Sequence, residues 1–284
     1  GRTIWFRIAG DPVMGQEEVL WTVVDITERV EAQNKIEELA SKLSKYLSPQ
    51  VYRSIFSGQK NVQIEANRKK LTVFFSDIKD FTELTDRLEP EVLSSLLNSY
   101  LNEMSKIALK YGGTIDKFVG DAILIFFGDP ETNGEKADAT SCVLMALEMR
   151  ERMKFMRQIW EDEGISKPLN IRIGINTGYC NVGNFGSEDR LDYTIIGGEV
   201  NLASRLESNA SVGQILVSHE TYSLIKNSIT CEEREEINVK GLAHKVRTYE
   251  VIDKIENNEN GVSKLKDNYE GFSLSIDLEV SRKA

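Results

Sequence analysis

The chain is poor in the residues from which compact nucleophilic or metal centres are usually assembled. It holds two histidines, His219 and His244, and three cysteines, Cys142, Cys180 and Cys231. The cysteines are odd in number and far apart, which argues against a disulfide framework and against a CxxC metal knuckle. The histidines have no spacing that suggests a metal site or a triad, and Ser76 lacks a partnered base. No apolar run reaches the roughly 18 residues that span a bilayer, and the opening GRTIWFRIAGDP lacks the apolar stretch of a signal peptide. Basic residues are outnumbered, 35 Lys plus Arg against 45 Asp plus Glu, for a formal charge of -10. That balance excludes a general nucleic-acid surface, which needs a clustered basic footprint. It leaves phosphate binding open, because metal ions, backbone amides and a few cations suffice. What the 284 residues do have is 40% hydrophobic and 28% charged side chains, enough for a sizeable core. The expectation is an acidic, reduced, soluble protein of the cytoplasm, without nucleic-acid partners or a membrane segment of its own.

Residues 1-29 read as two strands around a turn, TIWFRIAG and VLWTVVDIT, separated by DPVMGQEE with Pro12 and Gly15. About 29 residues cannot close a core alone. The segment, ending in Val24-Asp25-Ile26-Thr27-Glu28-Arg29, resembles the last two strands of a PAS sensory domain, here without the pocket-forming part. Residues 30-66 follow as a helical linker. From Thr27 to Leu47 there is no Gly or Pro, and Ala32, Ile36, Leu39, Leu43 and Tyr46 recur at steps of 4, 3, 4 and 3. That is the seam of a two-stranded coiled coil, or the inner face of an amphipathic helix lying on its own domain. Ser48-Pro49 then starts a second short helix that ends near Gly58.

Residues 67-253 carry the main pattern: strand LTVFFSD (71-77), helix Pro90 to Lys110, strands TIDKFVG and DAILIFFG around Gly120-Asp121, helix Glu135 to Glu163, and strand LNIRIGINTG (169-178). The order βαββαβ predicts an α+β fold with a ferredoxin-like core, an antiparallel sheet with both helices on one face. A hairpin around 179-196, a helix Glu199 to Asn209, the strand QILVS, a short helix and a terminal strand pair ending at RTYEVID complete it. Trp160, Phe126 and Phe127 read as core or interface residues. The stretch 254-284 is polar, a tail or linker; FSLSIDLEV alternates like a strand but has no evident partner.

Chemistry concentrates at two aspartates. Asp77 ends the first apolar strand and Asp121 sits in the turn of the next hairpin, positions that also suit an N-cap and a turn residue. In a ferredoxin-like sheet these elements are central and adjacent, so the carboxylates can converge at one end. Mg²⁺ is held by one or two carboxylates plus substrate phosphates, and the turn after Asp77, leading to Phe81 and Thr82, offers backbone amides to phosphate oxygens. Asn201 and Arg205, four apart in GGEVNLASRLES, share one helix face, with Leu202 and Leu206 on another.

The motifs FFSDIKDFT, KFVGDAILIFF and GGEVNLASRLES, in this order over residues 67-253, resemble the catalytic domain of class III nucleotidyl cyclases. The resemblance implies two Mg²⁺ (or Mn²⁺) per site, held by Asp77, Asp121 and the carbonyl of Ile78. It implies that Asn201 positions the ribose, that Arg205 stabilises the transition state and that Lys240, in INVKG, reaches the triphosphate. Lys117 and Thr194 fall where the family reads the purine. A lysine ammonium is a donor only and suits N1 of adenine, while the Thr194 hydroxyl can accept from the amino group; guanine would call for a carboxylate. Many adenylate cyclases carry Asp where Thr194 stands, and the change resembles a bacterial and cyanobacterial subclass. The implied activity is conversion of ATP to cyclic AMP and pyrophosphate, as the output of an upstream sensor. Guanylate cyclase, a degenerate nucleotide-binding module and a signalling adaptor are the rivals. Lys117 and Asp121 are about 13 Å apart if extended, so one nucleotide cannot easily use both from one chain. The family places its sites at a homodimer interface, with Asp77 and Asp121 from one subunit and Lys117, Thr194, Asn201 and Arg205 from the other.

Overall fold

The computed structural model describes residues 3–12, 19–56, 63–162, 169–238, 245–255, 264–269 and 272–277. The first β-branched segments form strands β1 (Phe6–Pro12) and β2 (Val19–Asp25), paired antiparallel with Phe6 opposite Asp25. Ile8, Trp21 and Val23 of this hairpin stay exposed, as befits two strands that cannot bury a face alone. Thr27 ties the hairpin to the next helix: its hydroxyl accepts from the Trp5 amide at 2.9 Å, while Asp25 Oδ1 accepts from the Thr27 amide at 2.8 Å.

Helix α1 (Thr27–Leu43) stops short of the expected Leu47 and passes through a 3-10 turn, Ser44–Tyr46, into α2 (Pro49–Phe56). The Ser44 hydroxyl donates to the Ser41 carbonyl at 2.8 Å, a local bond that competes with helix continuation. Pro49 also disfavours helical backbone at Ser48. The consequence is that Tyr46 leaves the seam and stands 87% exposed. Ile36 and Leu39 are uncovered as well.

The central unit begins with β3 (Ala66–Ile78), α3 (Phe81–Thr85), α4 (Pro90–Lys110), β4 (Thr114–Val119), β5 (Ala122–Phe127) and α5 (Glu135–Asp162). It continues with β6 (Ile171–Gly186), β7 (Leu191–Ile196), α6 (Gly198–Asn209), β8 (Ile215–Ser218), α7 (His219–Ile225), β9 (Ile229–Ile237) and β10 (Val246–Lys254). The strands order as β4-β5-β3-β6-β8-β10-β9, with β7 added to β6. The first four neighbours are antiparallel and reproduce the ferredoxin-like order, whereas β6 and β8 run parallel, so the whole sheet is mixed. The expected strand 169-178 and the first arm of the hairpin at 179-196 prove to be one strand, β6, sixteen residues long.

Both faces of the sheet are covered, which is why β3 reads as a nearly continuous apolar run. Phe74, Ile123, Ile125, Ile173 and Ile175 pack under α4 and α5, where Tyr100, Met104, Met149 and Trp160 are buried. Leu71, Val73, Leu124 and Phe126 pack on the other face with Val182, Ile195 and Ala203. There α6 lies directly on β6: a Cβ at Gly174 would stand 2.3 Å from the Ala203 carbonyl oxygen and 2.1 Å from the Glu207 amide. Beyond this unit, β11 (Lys264–Tyr269) and β12 (Phe272–Asp277) form a hairpin. The FSLSID part of that segment therefore has a partner, KLKDNY, whose polar composition gave no strand signal.

Candidate active site

The two aspartates meet. Asp77 lies at the end of β3 and Asp121 in the tight turn after Gly120, whose φ of 64° suits glycine. Asp121 Oδ2 accepts a hydrogen bond from the Ile78 amide at 3.0 Å. Burial, together with the facing Asp77 carboxylate, pushes the Asp121 carboxyl up to about 6. Behind the pair, the buried Ser76 hydroxyl and Tyr100 phenol are 3.4 Å apart; burial, and then the two acids, push the phenol upward. Arg172 bridges Asp77 Oδ2 at 3.1 Å and Glu207 Oε1 at 2.9 Å, so a cation on β6 ties the acid pair to α6.

This arrangement suits divalent cations. Among the described residues no group of three or more His, Cys, Asp or Glu forms a metal cluster. Two carboxylates of which one resists ionisation match an ion completed by substrate phosphate. A stability test follows. Because the folded protein binds extra protons between the ordinary carboxyl value of 3.8 and about 6, stability falls as pH rises through that window. In chelator-treated protein, Asp121→Asn is therefore expected to raise the melting temperature at pH 8 and to make no difference near pH 4. A lower melting temperature at pH 8 would contradict the cost that burial and the Asp77 carboxylate place on an ionised Asp121.

The expected base-reading residues also meet, through a group that sequence reasoning missed. Thr194 on β7 donates its hydroxyl to Asp116 Oδ2 at 2.6 Å, and Lys117 Nζ stands 3.5 Å from Asp116 Oδ1. Lys117 is exposed while Thr194 is buried. Asn201 and Arg205 lie on the exposed face of α6 with Leu202 and Leu206 buried beneath; among the described residues neither polar side chain has a hydrogen-bond or ion-pair partner. Phe81 opens α3 and packs against the core, and Thr82 is exposed beside it. The first α3 bond is from the Leu84 amide to the Asp80 carbonyl, which leaves the amides of Phe81 and Thr82 without intrahelical partners. Lys240 and His244 lie outside the described residues. His219 pairs with the Tyr249 hydroxyl at 3.1 Å, as a structural residue would. Arg172, Tyr100 and Asp116 carried no motif signal; an arginine inside an apolar strand and an aspartate beside Lys117 were the only hints.

The linker reaches this site. Gln50 of α2 donates to the Gly113 carbonyl at 2.9 Å, immediately before β4. A cavity of about 240 Å³ separates Leu47 and Val51 from Asp116, Lys117 and Tyr193. Among the described residues no helix is long and apolar enough to cross a membrane.

The family model described as the adenylate and guanylate cyclase catalytic domain matches residues 63–253. The crystal structure of the adenylyl cyclase CyaB from P. aeruginosa is 63% identical, with a TM-score of 0.66, over 68% of this chain and 98% of that one. That of the guanylyl cyclase Cya2 is 34% identical, with a TM-score of 0.65, over 69% and 98%. The terminal-differentiation specific adenylate cyclase of Dictyostelium discoideum is 34% identical over 78% of this chain and 10% of its own length. This chain spans 10%, 28% and 44% of the first three curated relatives it matches.

Proposed function

The chain belongs to the adenylate and guanylate cyclase catalytic domain family, and on that premise we propose that it is an adenylate cyclase converting ATP to 3′,5′-cyclic AMP and pyrophosphate. The observation that carries the choice of base is the meeting of Lys117 and Thr194 on one buried carboxylate. A donor-only ammonium beside a hydroxyl matches N1 and the amino group of adenine; guanine, with a protonated N1, would face a second donor there. The 63% identity to an adenylyl cyclase points the same way.

Asp77, Asp121 and the Ile78 carbonyl would hold two Mg²⁺ (or Mn²⁺). When bound, these ions supply Lewis acidity toward the ribose 3′-hydroxyl and the α-phosphate. Asn201 orients the ribose, and Arg205 donates to the phosphate oxygens as charge builds at phosphorus. Lys240 and the amides of Phe81 and Thr82 receive the remaining phosphates. No protein general base is needed, because the 3′-hydroxyl proton can leave to water or to substrate phosphate.

The site is shared between two copies of the chain, one contributing Asp77, Ile78 and Asp121, the other Lys117, Thr194, Asn201 and Arg205. Two features support this. Arg205 and Asn201 face outward with no partner among the described residues, and Phe118 and Val119 stand 45% and 59% exposed beside Asp121, an apolar edge fit for a partner. Residues 1-29 are the end of a PAS-like sensor, 30-66 a helical coiled-coil linker, 67-253 the catalytic domain and 254-284 a polar tail or linker. Through Gln50 and Gly113 the linker can pass a sensor's rotation to the strand bearing Lys117. The enzyme works in the cytoplasm, where ATP is supplied.

Purified chain given ATP or GTP with Mg²⁺ or Mn²⁺ is expected to release cyclic AMP and pyrophosphate, with kcat/KM for ATP about 100-fold above that for GTP. Preference for GTP, or ATP binding without pyrophosphate release, would replace this reading with a guanylate cyclase or a binding module.

A further inference from the structure

Asp116 is a buried charge for which the residues above leave no role. It lies in β4 between Ile115, which faces Ile125 of β5, and Lys117, which faces Leu124, so it is the extra residue of a β-bulge. Bulges break strict alternation and re-aim side chains beside sites; here two consecutive residues act at one place. The Asp116 side chain is 1% exposed. Its Oδ2 takes the Thr194 hydroxyl at 2.6 Å and lies 3.5 Å from the Ile195 amide, while Oδ1 faces Lys117.

We propose that Asp116 is a positioning residue that sets the purine preference by fixing the direction of the Thr194 proton. A threonine hydroxyl has one proton. With that proton held by a carboxylate, Thr194 Oγ1 presents only lone pairs to the nucleotide. It then accepts from the exocyclic amino group of adenine and repels O6 of guanine. Thr194 is itself 6% exposed, so water does not compete for its proton. Lys117 keeps two further N–H donors for N1 while its third leans on Asp116. A carboxylate acceptor makes the bond stronger than a neutral one would. Burial raises the Asp116 carboxyl, and the Thr194 hydroxyl and Lys117 ammonium, in that order, work against the rise, so the same two partners favour the ionised acceptor.

The inference rests on the adenylate cyclase reading, and one set of kcat/KM measurements with ATP and GTP separates the two. Wild-type protein that makes no cyclic nucleotide, or prefers GTP, overturns the proposed function. If the wild type prefers ATP, Asp116→Ala and Asp116→Asn are expected to lower the ATP-to-GTP ratio about tenfold. Most of that change is expected in KM for ATP. In Asp116→Asn the amide N–H₂ can donate to Thr194 and turn the hydroxyl proton toward the base. Thr194→Val, of the same shape, should lose the preference to the same degree, and adding Asp116→Ala to it should leave the ratio unchanged. A merely structural Asp116 would lower both substrates in parallel at constant ratio, and that result overturns the inference. So does an unchanged ratio in Thr194→Val, which decides the matter even if neither Asp116 variant folds.

Discussion

Asp121→Ala is expected to lower cyclic AMP production at least about a thousandfold while the protein stays folded. The remaining carboxylate, Asp77, is already engaged by Arg172 at 3.1 Å. Without Asp121 the site therefore keeps one acid, partly neutralised, to hold divalent cations. The fold should survive because Asp121 occupies a turn, where its carboxylate accepts from the Ile78 amide. Removing its charge also relieves the cost that burial, and then the facing Asp77 carboxylate, place on it, which lifts its carboxyl to about 6. Product detection by mass with a parallel melting curve checks both halves of the expectation. Activity within tenfold of wild type would show that the cations are held elsewhere.

Mixing two silent variants is expected to restore activity. Arg205→Ala alone should cost about 100- to 1,000-fold, the size of a lost transition-state donor, because its exposed guanidinium has no partner among the described residues and no structural task to lose. Combined with Asp121→Ala, it leaves one intact site in each mixed dimer, since the damaged positions fall in the same other site. Random exchange makes half the dimers mixed, each with one of its two sites, so about a quarter of wild-type turnover should return. Native mass spectrometry establishes whether mixed dimers form. If they form and the mixture stays inactive, the two residues serve one chain's own site and the shared arrangement is wrong. The exposed Phe118 and Val119 predict that such dimers bury the tip of the β4–β5 hairpin.

Local chemistry made most elements legible in the sequence. Helix α4 has its expected ends, Pro90 and Lys110, because proline suits the first turn and Gly112-Gly113 stops the helix. The meeting of Asp77 and Asp121 followed from strand order alone, since a βαββαβ unit brings its first strand beside the hairpin. The linker was harder to read: an unbroken periodicity from Ala32 to Tyr46 hid the 3-10 turn, because one serine hydroxyl and the following proline outweighed that pattern. The long strand β6 reads as two segments in the sequence for a similar reason: its glycines resemble breaks, whereas in the fold they allow α6 and the chain before β3 to approach closely.

By itself, then, the sequence determined the order of elements from β3 to α5, the faces they bury and the identity of the polar residues along one end of the sheet. Only the tertiary structure decided how those residues are oriented. Asp116 and Thr194 are 78 positions apart, and Asp77 and Arg172 are 95 apart. The physical reason is that periodicity encodes which side of its own strand or helix a residue takes, whereas a hydrogen bond needs register, twist and, at Asp116, a single bulged residue. Those quantities come from the packing of the whole sheet, and no short stretch of chain contains them.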